Sequence, residues 1–358
     1  MTLAHINKIA TAVPPYDVHH AFIAFARSLL DGNPRRQTLF DRMIERAEIE
    51  HRYSYLCPPG SVPDKGGIIA TDFYARGSFP STGARMKLFE EQAPLLAQTA
   101  IDRLELGEAE RSRLTHIIIT CCTGFSAPGL DLEIMSRCGL PGSMERSIVG
   151  FMGCYAAING LKLARHIVRS EPKARVLALN LELCSLHLKE TSNLDEILSF
   201  LIFADGCAAA IVSADEKGLA MDSFRAVLVP NTRELITWNV GDNGFDMFLS
   251  GQVPGTIHEA LRASADEILG GAAISEIDLW AVHPGGRSVL DAVERALALK
   301  PQALAPSRRV LRAFGNMSSG TVMFVLQQML RASAGTRGCA MSFGPGLIAE
   351  TMLFHGTG

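Results

Sequence analysis

The stretch GFMGCYAAINGLKLARHIVRS, residues 150–170, indicates how the N-terminal half folds. After Cys154 its apolar residues recur at helical spacing, and Gly150 and Gly153 permit a tight turn into that helix. An apolar strand is predicted on each side, HIIIT from His116 and VLALNLEL from Val176. Strand, helix and strand in this order are typical of an α/β unit, in which helices cover a sheet.

The same order of elements recurs in the C-terminal half. LWAVH ends a predicted strand at His283, GNMSSGTVMFVLQQMLRAS opens a helix after Asn316, and CAMSF begins another strand. Asn316 follows Cys154 by 162 residues, and His283 follows Cys121 by the same number. The two strand ends and the two helix starts are thus separated by the same number of residues. This equal spacing predicts a duplicated α/β fold with halves 1–215 and 216–358, each a sheet flanked by helices.

Composition excludes several classes of protein. The 358 residues are 47% hydrophobic and 20% charged, with a formal net charge of −3, which argues against a general affinity for nucleic acid or anionic membranes. No secretory signal is visible, and the most apolar run, Ile197 to Val212, is too short and too interrupted to span a bilayer. The eight cysteines lack paired CxxC spacing, so we expect reduced thiols in a cytoplasmic protein and no metal site.

Cys154 is the candidate nucleophile. A thiol at a helix N-terminus has its thiolate stabilised by the helix dipole, and a neighbouring imidazolium would lower its pKa further. The alternative is a small buried residue, since free cysteine is among the most buried residue types. The glycine turn and the equivalent position of Asn316 favour the nucleophile.

His283 and Asn316 are the candidate partners of that thiol. His283 ends a strand and precedes Pro284-Gly285-Gly286, which keeps bulk away from the ring, although a structural histidine is the alternative. Asn316 is also a good helix N-cap. A neutral amide can stabilise an enolate that a carboxylate would repel, so the three residues point to carbon–carbon bond formation at a thioester rather than to hydrolysis.

Two further features are compatible with this chemistry. SFGPG, Ser342 to Gly346, allows close backbone approach at a cavity floor, or is a plain β-turn. Five arginines near one N-terminal helix suit a phosphate-bearing ligand: Arg35, Arg36, Arg42, Arg46 and Arg52. A solvated helix face paired with Glu45, Glu48 and Glu50 explains them equally well.

GFMGCYAA, AVHPGG, FGNMSS and SFGPGLIAET together resemble the type III polyketide synthases, the chalcone and stilbene synthase superfamily with the thiolase fold. The loop TCCTGFSAPGLD is more similar to bacterial alkylresorcinol and alkylpyrone synthases. The resemblance implies a homodimer with a five-layered αβαβα core. It also implies malonyl-CoA and an acyl-CoA starter as substrates, and no cofactor.

The resemblance also implies roles for individual residues. Cys154 matches the nucleophile, His283 and Asn316 the oxyanion and decarboxylation pair, and Phe203 a gatekeeper between CoA tunnel and cavity. The residues expected to bind CoA are Arg42, Arg46, Gly285 and Gly286. The residues expected at the substrate cavity are Thr123, Ala127, His187, Met247, Ser318, Ser342, Gly344 and Pro345.

Three of these positions depart from the plant pattern. The second gatekeeper falls on Met247, with Phe245 and Phe248 as neighbours that a shift of register would select. His187 stands where chalcone-forming enzymes have threonine. Ala127 replaces a methionine that enters the partner's cavity, and a smaller residue there is consistent with a fatty acyl starter.

The predicted reaction is iterative decarboxylative Claisen condensation of malonyl-CoA onto an acyl group on Cys154, followed by cyclisation to a pyrone, resorcinol or phloroglucinol. One rival is a ketoacyl-ACP synthase III-like enzyme that performs a single condensation, against which HPGG and SFGPG argue. A more remote one is a non-catalytic thiolase-fold binding dimer. A papain-like Cys-His-Asn hydrolase has different sequence surroundings.

Overall fold

The computed structural model describes residues 2–30, 32–64 and 66–358. In this part of the chain the strands are β1 (His5–Ala12), β2 (Tyr16–Asp17), β3 (Tyr53–Ser54), β4 (Leu56–Cys57), β5 (Ile68–Ile69), β6 (His116–Cys121), β7 (Glu145–Gly150), β8 (Val176–Leu183), β9 (Asp205–Ser213), β10 (Leu219–Leu228), β11 (Ile236–Gly241), β12 (Gly244–Leu249), β13 (Leu279–Val282), β14 (Arg337–Gly344) and β15 (Ile348–Gly356). The helices are α1 (His19–Ser28), α2 (Pro34–Ala47), α3 (Ala70–Phe73), α4 (Thr82–Asp102), α5 (Glu108–Arg111), α6 (Leu130–Arg137), α7 (Ala156–Ser170), α8 (Leu194–Ile202), α9 (Val253–Ile268), α10 (Arg287–Ala296), α11 (Ala305–Phe314) and α12 (Thr321–Met329).

The main sheet repeats one strand order in its two halves. The N-terminal half runs β7-β6-β8-β9-β1, with β6 parallel to β7 and β8, and β9 antiparallel to its neighbours. The C-terminal half runs β13-β14-β15-β10, with β13 parallel to β14 and β15 antiparallel to both neighbours. Apart from β7 the two orders match strand for strand, which confirms the predicted duplication.

The two half-sheets are continuous, which the sequence did not predict. β1 pairs with β10 through His5↔Ala220 and Ile6↔Leu219, so nine strands form one sheet. The junction consists of these two residue pairs, and both strands otherwise pair within their own half.

Helices separate the halves into layers. α7 and α12 lie between the half-sheets, in a core that contains Ile118, Leu161, Val325 and Met352. α4 and α6 cover the outer face of the N-terminal half, and α9 and α10 cover that of the C-terminal half. The α/β, five-layered architecture expected of a thiolase fold is therefore confirmed. None of the helices in the described segments has the length and apolar character needed to cross a membrane.

The two predicted helix starts differ in detail. Cys154 lies within a 3-10 turn, Gly153–Tyr155, that leads into α7. Asn316 lies two residues before the equivalent turn, Ser318–Gly320, which leads into α12. Gly153 has a φ of +74° in the tight turn, whereas Gly150 ends β7 without a positive φ. Phe151 takes the other left-handed position, with a φ of +55°.

Candidate active site

One cavity of about 800 Å³ brings together the three residues predicted to carry the chemistry. Cys154, His283 and Asn316 all line it. His283 directly follows β13, Asn316 follows α11, and Cys154 precedes α7. Side chains that are far apart along the chain therefore meet where strands end and helices begin, the usual location of ligand sites in α/β folds.

The turn that holds Cys154 is packed against the SFGPG segment. A Cβ on Gly153 would overlap Pro345, and a Cβ on Gly344 would lie 2.7 Å from Tyr155 Cδ1 and 3.2 Å from the Cys154 nitrogen. The Gly153 N–H donates to Cys122 Sγ at 3.0 Å. SFGPG is thus the end of β14 and a 3-10 turn that supports the turn at Cys154, and not an isolated β-turn.

The His283 ring is buried without a hydrogen-bond partner among the described residues. The side chain is 1% exposed, and neither Nδ1 nor Nε2 is bonded. Its backbone N–H donates to the Met341 carbonyl at 2.8 Å, which fixes the residue at the end of the sheet. Burial lowers the pKa of His283 to about 3. A buried imidazole with two unpaired nitrogens, on the wall of a cavity, is available to a substrate carbonyl or to a thiol proton.

Asn316 is oriented by backbone contacts on both sides. Its N–H donates to the Ile202 carbonyl at 2.8 Å, and its own carbonyl accepts from Ala204 N–H at 2.9 Å. Its Oδ1 accepts from Ser318 N–H at 2.8 Å, and its Nδ2 donates to the Gly285 carbonyl at 3.3 Å, which leaves the second Nδ2 hydrogen available. The side chain therefore caps the following turn and still presents an NH₂ donor at the cavity.

Burial dominates the electrostatics of the thiol. It raises the pKa of Cys154 to about 12, while hydrogen bonds with Ser318 and Asn316 act in the opposite direction. Cys154 Sγ lies 3.8 Å from Ser318 Oγ. Desolvation therefore acts against the lowered pKa expected for a thiol at a helix start. A thiolate here requires that its proton pass to a neighbour.

The gatekeeper positions fall on the cavity wall. Phe203, directly after α8, lines the cavity and forms a parallel bridge with Asn316. Met247 on β12 also lines it, opposite Trp238 on β11. Of the two phenylalanines that the sequence left open, Phe248 is 49% exposed on the surface. Phe245 is buried against the His187 ring, with the ring centroids 4.1 Å apart.

Thr123, Ser318 and Pro345 also line the cavity, whereas His187, Ala127, Ser342 and Gly344 do not. His187 is fully buried: its Nε2 lies 2.7 Å from the Thr123 carbonyl, and its Nδ1 accepts from Phe245 N–H at 3.0 Å. Both ring nitrogens are thus used by backbone, and burial lowers its pKa to about 3. The ring lies behind the wall and supports it, and does not form part of the cavity surface.

The other three residues outside the wall differ from one another. Ala127 is exposed at the surface. Ser342 is fully buried, with an Oγ that has no partner among the described residues. Gly344 lies under Tyr155. These positions shape the surroundings of the cavity without forming its surface.

The predicted CoA residues are divided between the cavity and the surface. Arg46, Gly285 and Gly286 line the cavity. Arg42 is exposed on α2, one helical turn from Arg46, and does not reach the cavity. Within the described ranges neither arginine is paired with a carboxylate, whereas neighbouring Arg287 lies 3.2 Å from Glu48 Oε1. Two unpaired cations therefore remain near the cavity.

Several residues at the site were missed. Cys122, Cys184 and Trp238 line the cavity, and Trp238 Nε1 donates to the Cys122 carbonyl at 2.7 Å. Glu182 is fully buried behind Cys122 and accepts from its N–H at 2.9 Å, and also from Thr123 Oγ1 and Ser319 Oγ. Burial raises the pKa of Glu182 to about 7. The signal was visible, since Glu182 is the only charged residue in the apolar run VLALNLEL.

A group of potential metal ligands lies at the other end of β6. His116, Glu145 and Glu171 each offer one donor atom, and these atoms lie within 4.8 Å of one another. β6 begins at His116 and ends at Cys121, next to the cavity, so the group is separated from the site by the length of the strand.

Comparison with known proteins identifies the family. The model of the chalcone and stilbene synthase N-terminal domain matches residues 3–216, and that of the C-terminal domain matches residues 220–358. The chain is 33% identical to the alpha-pyrone synthesis polyketide synthase-like Pks18 of Mycobacterium tuberculosis, over 99% of this chain and 91% of the relative. An identical degree of similarity is found with the Mycobacterium bovis protein of the same name.

Solved structures support the same family assignment. PKS-I from the brown alga Ectocarpus siliculosus superposes with a TM-score of 0.88 at 29% identity, covering 99% of both chains. The C-terminal type III polyketide synthase domain of Steely1 from Dictyostelium has the same fold, with a TM-score of 0.87 at 24% identity, covering 99% of this chain and 100% of the domain. The chain therefore belongs to the chalcone and stilbene synthase family and is a type III polyketide synthase, an acyltransferase that forms carbon–carbon bonds.

Proposed function

We propose that the enzyme extends a fatty acyl-CoA starter with malonyl-CoA, using Cys154 as nucleophile and His283 and Asn316 as the oxyanion and decarboxylation pair. The observation that carries the proposal is that these three side chains line one cavity of about 800 Å³. This volume lies in the upper part of the range for pockets that enclose organic ligands, and it leaves room for a growing chain.

Loading begins with proton transfer. The Cys154 thiol gives its proton to the neutral His283 imidazole, and the resulting thiolate attacks the thioester carbonyl of the starter. Burial raises the pKa of the thiol and lowers the pKa of the imidazole, so it disfavours a thiolate without an imidazolium and an imidazolium without a thiolate. The two charges formed together stabilise one another. Collapse of the tetrahedral intermediate expels CoA thiolate, which takes the proton back from the imidazolium and leaves an acyl group on Cys154.

Extension then uses the neutral donors. Asn316 Nδ2, together with the neutral His283 ring, donates to the thioester oxygen of malonyl-CoA, so loss of carbon dioxide leaves a stabilised enolate. The enolate carbon attacks the acyl carbonyl on Cys154, a carbon–carbon bond forms, and Cys154 leaves as thiolate. The product is a β-ketoacyl-CoA two carbons longer, which can reload Cys154 for another round.

CoA is proposed to enter between α2 and the turn after His283. Arg46 faces the cavity and is not neutralised by a carboxylate among the described residues, which suits a phosphate group. Arg42, on the same helix, adds positive charge at the surface. The absence of a Cβ at Gly285 and Gly286 allows the pantetheine arm to approach the backbone, and no further cofactor is required.

The character of the cavity supports a fatty acyl starter. Aliphatic and aromatic side chains dominate the wall around Phe203 and Met247, as a fatty acyl chain requires. The similarity to the mycobacterial alpha-pyrone synthesis polyketide synthase-like Pks18 supports lactonisation to a pyrone, with a resorcinol or phloroglucinol as the alternative products.

A cytoplasmic homodimer is part of the same proposal. β7 is an edge strand of the main sheet, and Ile148 on it is 50% exposed. Phe125 is 49% exposed, and Ala127 is exposed on the same loop. An apolar edge of this kind is suited to a second copy of the chain, since it would otherwise favour unspecific association.

The experiment that tests the proposal is mass spectrometry of products from malonyl-CoA with acyl-CoA starters of increasing length. We expect triketide and tetraketide pyrones or their cyclised relatives, with long acyl starters preferred. A single condensation product formed from malonyl-ACP, and none from malonyl-CoA, would favour the ketoacyl-ACP synthase III alternative.

A further inference from the structure

Arg52 is a buried cation beneath the segment that carries Phe203 and Asn316. The side chain is 2% exposed. Its Nη1 donates to the carbonyls of Phe200 and Phe203, at 3.1 Å each. These carbonyls belong to the C-terminal end of α8, where helix carbonyls lack partners within the helix. Arg52 thus closes the helix that ends at the gatekeeper.

The rest of the guanidinium is held just as specifically. Nε donates to His19 Nδ1 at 3.0 Å, and the Phe22 ring centroid lies 4.3 Å from the guanidinium carbon. Within the described segments no carboxylate forms an ion pair with this group, and Nη2 has no hydrogen-bond partner. The carboxylates of Asp17 and Asp205 favour this charge without forming an ion pair with it, so the guanidinium is held in place mainly by uncharged groups.

The Asn316 loop packs against the same side chain. Gly315 has a φ of +71°, and a Cβ there would lie 2.8 Å from Arg52 Cγ and 3.1 Å from the Ile202 carbonyl oxygen. Asn316 is joined to the end of α8 by the backbone bonds to Ile202 and Ala204 described above. Arg52 therefore contacts both segments whose relative position sets the distance between gatekeeper and amide donor.

We propose that Arg52 is a positioning residue for the decarboxylation step, holding the Asn316 amide and the Phe203 ring in register across the cavity. The inference rests on the proposed roles of Asn316 and Phe203. Lysine cannot replace Arg52, because one ammonium nitrogen cannot occupy the positions of both Nε and Nη1. The side chain itself does not line the cavity, so it acts through these two residues.

The test is steady-state decarboxylation of malonyl-CoA by Arg52→Lys and Arg52→Met, expressed per Cys154 thiol that iodoacetamide can titrate. We expect kcat to fall about 10²-fold, as small displacements of catalytic groups do, with little change in KM. Gly315→Ala, which pushes on Arg52 Cγ while keeping the arginine, should likewise lower kcat and leave KM nearly unchanged. It serves as the independent variant if the Arg52 substitutions do not fold.

Arg165→Lys is the matched control. Its guanidinium also donates to two carbonyls, those of Met221 and Asp222, and lies 5.8 Å from the Phe224 ring, but it is not at the cavity. We expect it to retain wild-type kcat per thiol. A wild-type kcat per thiol in the Arg52 variants, with only the melting temperature or the number of reactive thiols reduced, would overturn the inference. A wild-type enzyme without decarboxylase activity would instead count against the proposed function.

Discussion

Replacement of His283 by alanine should convert Cys154 from a reactive into an inert thiol. Burial raises the pKa of this thiol from its ordinary 9.0 to about 12, even though hydrogen bonds with Ser318 and Asn316 act to lower it. Three pH units correspond to roughly 10³-fold less thiolate at neutral pH than an ordinary cysteine has. In the wild type, the proposed transfer of this proton to His283 would offset the loss of thiolate.

The assay is the rate of alkylation by iodoacetamide between pH 6 and 9, followed by mass spectrometry of the peptide that contains Cys154. Because a raised pKa leaves the thiol protonated below pH 12, the rate in His283→Ala should be very low at pH 7 and should rise about tenfold per pH unit. The wild type should react quickly and depend less on pH. In Cys154→Ser, any remaining alkylation comes from the other thiols, so this variant provides the background to be subtracted. Alkylation of Cys154 in His283→Ala at the wild-type rate would refute the reasoning.

Two further substitutions test the site from other directions. Asn316→Ala should lower the kcat of malonyl-CoA decarboxylation by about 10²–10³, the usual effect of losing one oxyanion donor, and an unchanged rate would exclude the amide from that step. Gly153→Ala should reduce the free energy of unfolding by about 1–3 kcal/mol in urea denaturation, because its φ of +74° is strained for alanine and the Cβ would overlap Pro345. Gly142→Ala, with no atom within 4 Å of the added Cβ, is the control, and equal losses in both variants would contradict the packing argument.

The sequence predicted those features that depend on local pattern. β8 coincides with VLALNLEL, since a strand buried on both faces is mostly apolar. The equal spacing of elements in the two halves predicted that Cys154, His283 and Asn316 lie at one edge of the fold. Local glycine patterns are less reliable: Gly150 looked like Gly153 in the sequence, but only Gly153 has a positive φ.

Features that depend on tertiary packing were not predictable. The pairing of β1 with β10 joins strands more than two hundred residues apart through two residue pairs. The pKa of Cys154 is set by desolvation in the assembled cavity. The role proposed for Arg52 was not predictable, because Arg52 is one of five arginines near one helix. Its burial and its side-chain hydrogen bonds, which distinguish it from the exposed Arg42 and Arg46, depend on tertiary packing.

The proposal that Cys154 carries the acyl group while His283 and Asn316 form the enolate is tested most directly by Cys154→Ala, supplied with malonyl-CoA and a long acyl-CoA starter. Since enolate formation is assigned to His283 and Asn316, this variant should still release carbon dioxide and form acetyl-CoA, while no polyketide accumulates. Polyketide formation at the wild-type level without the thiol would contradict the account.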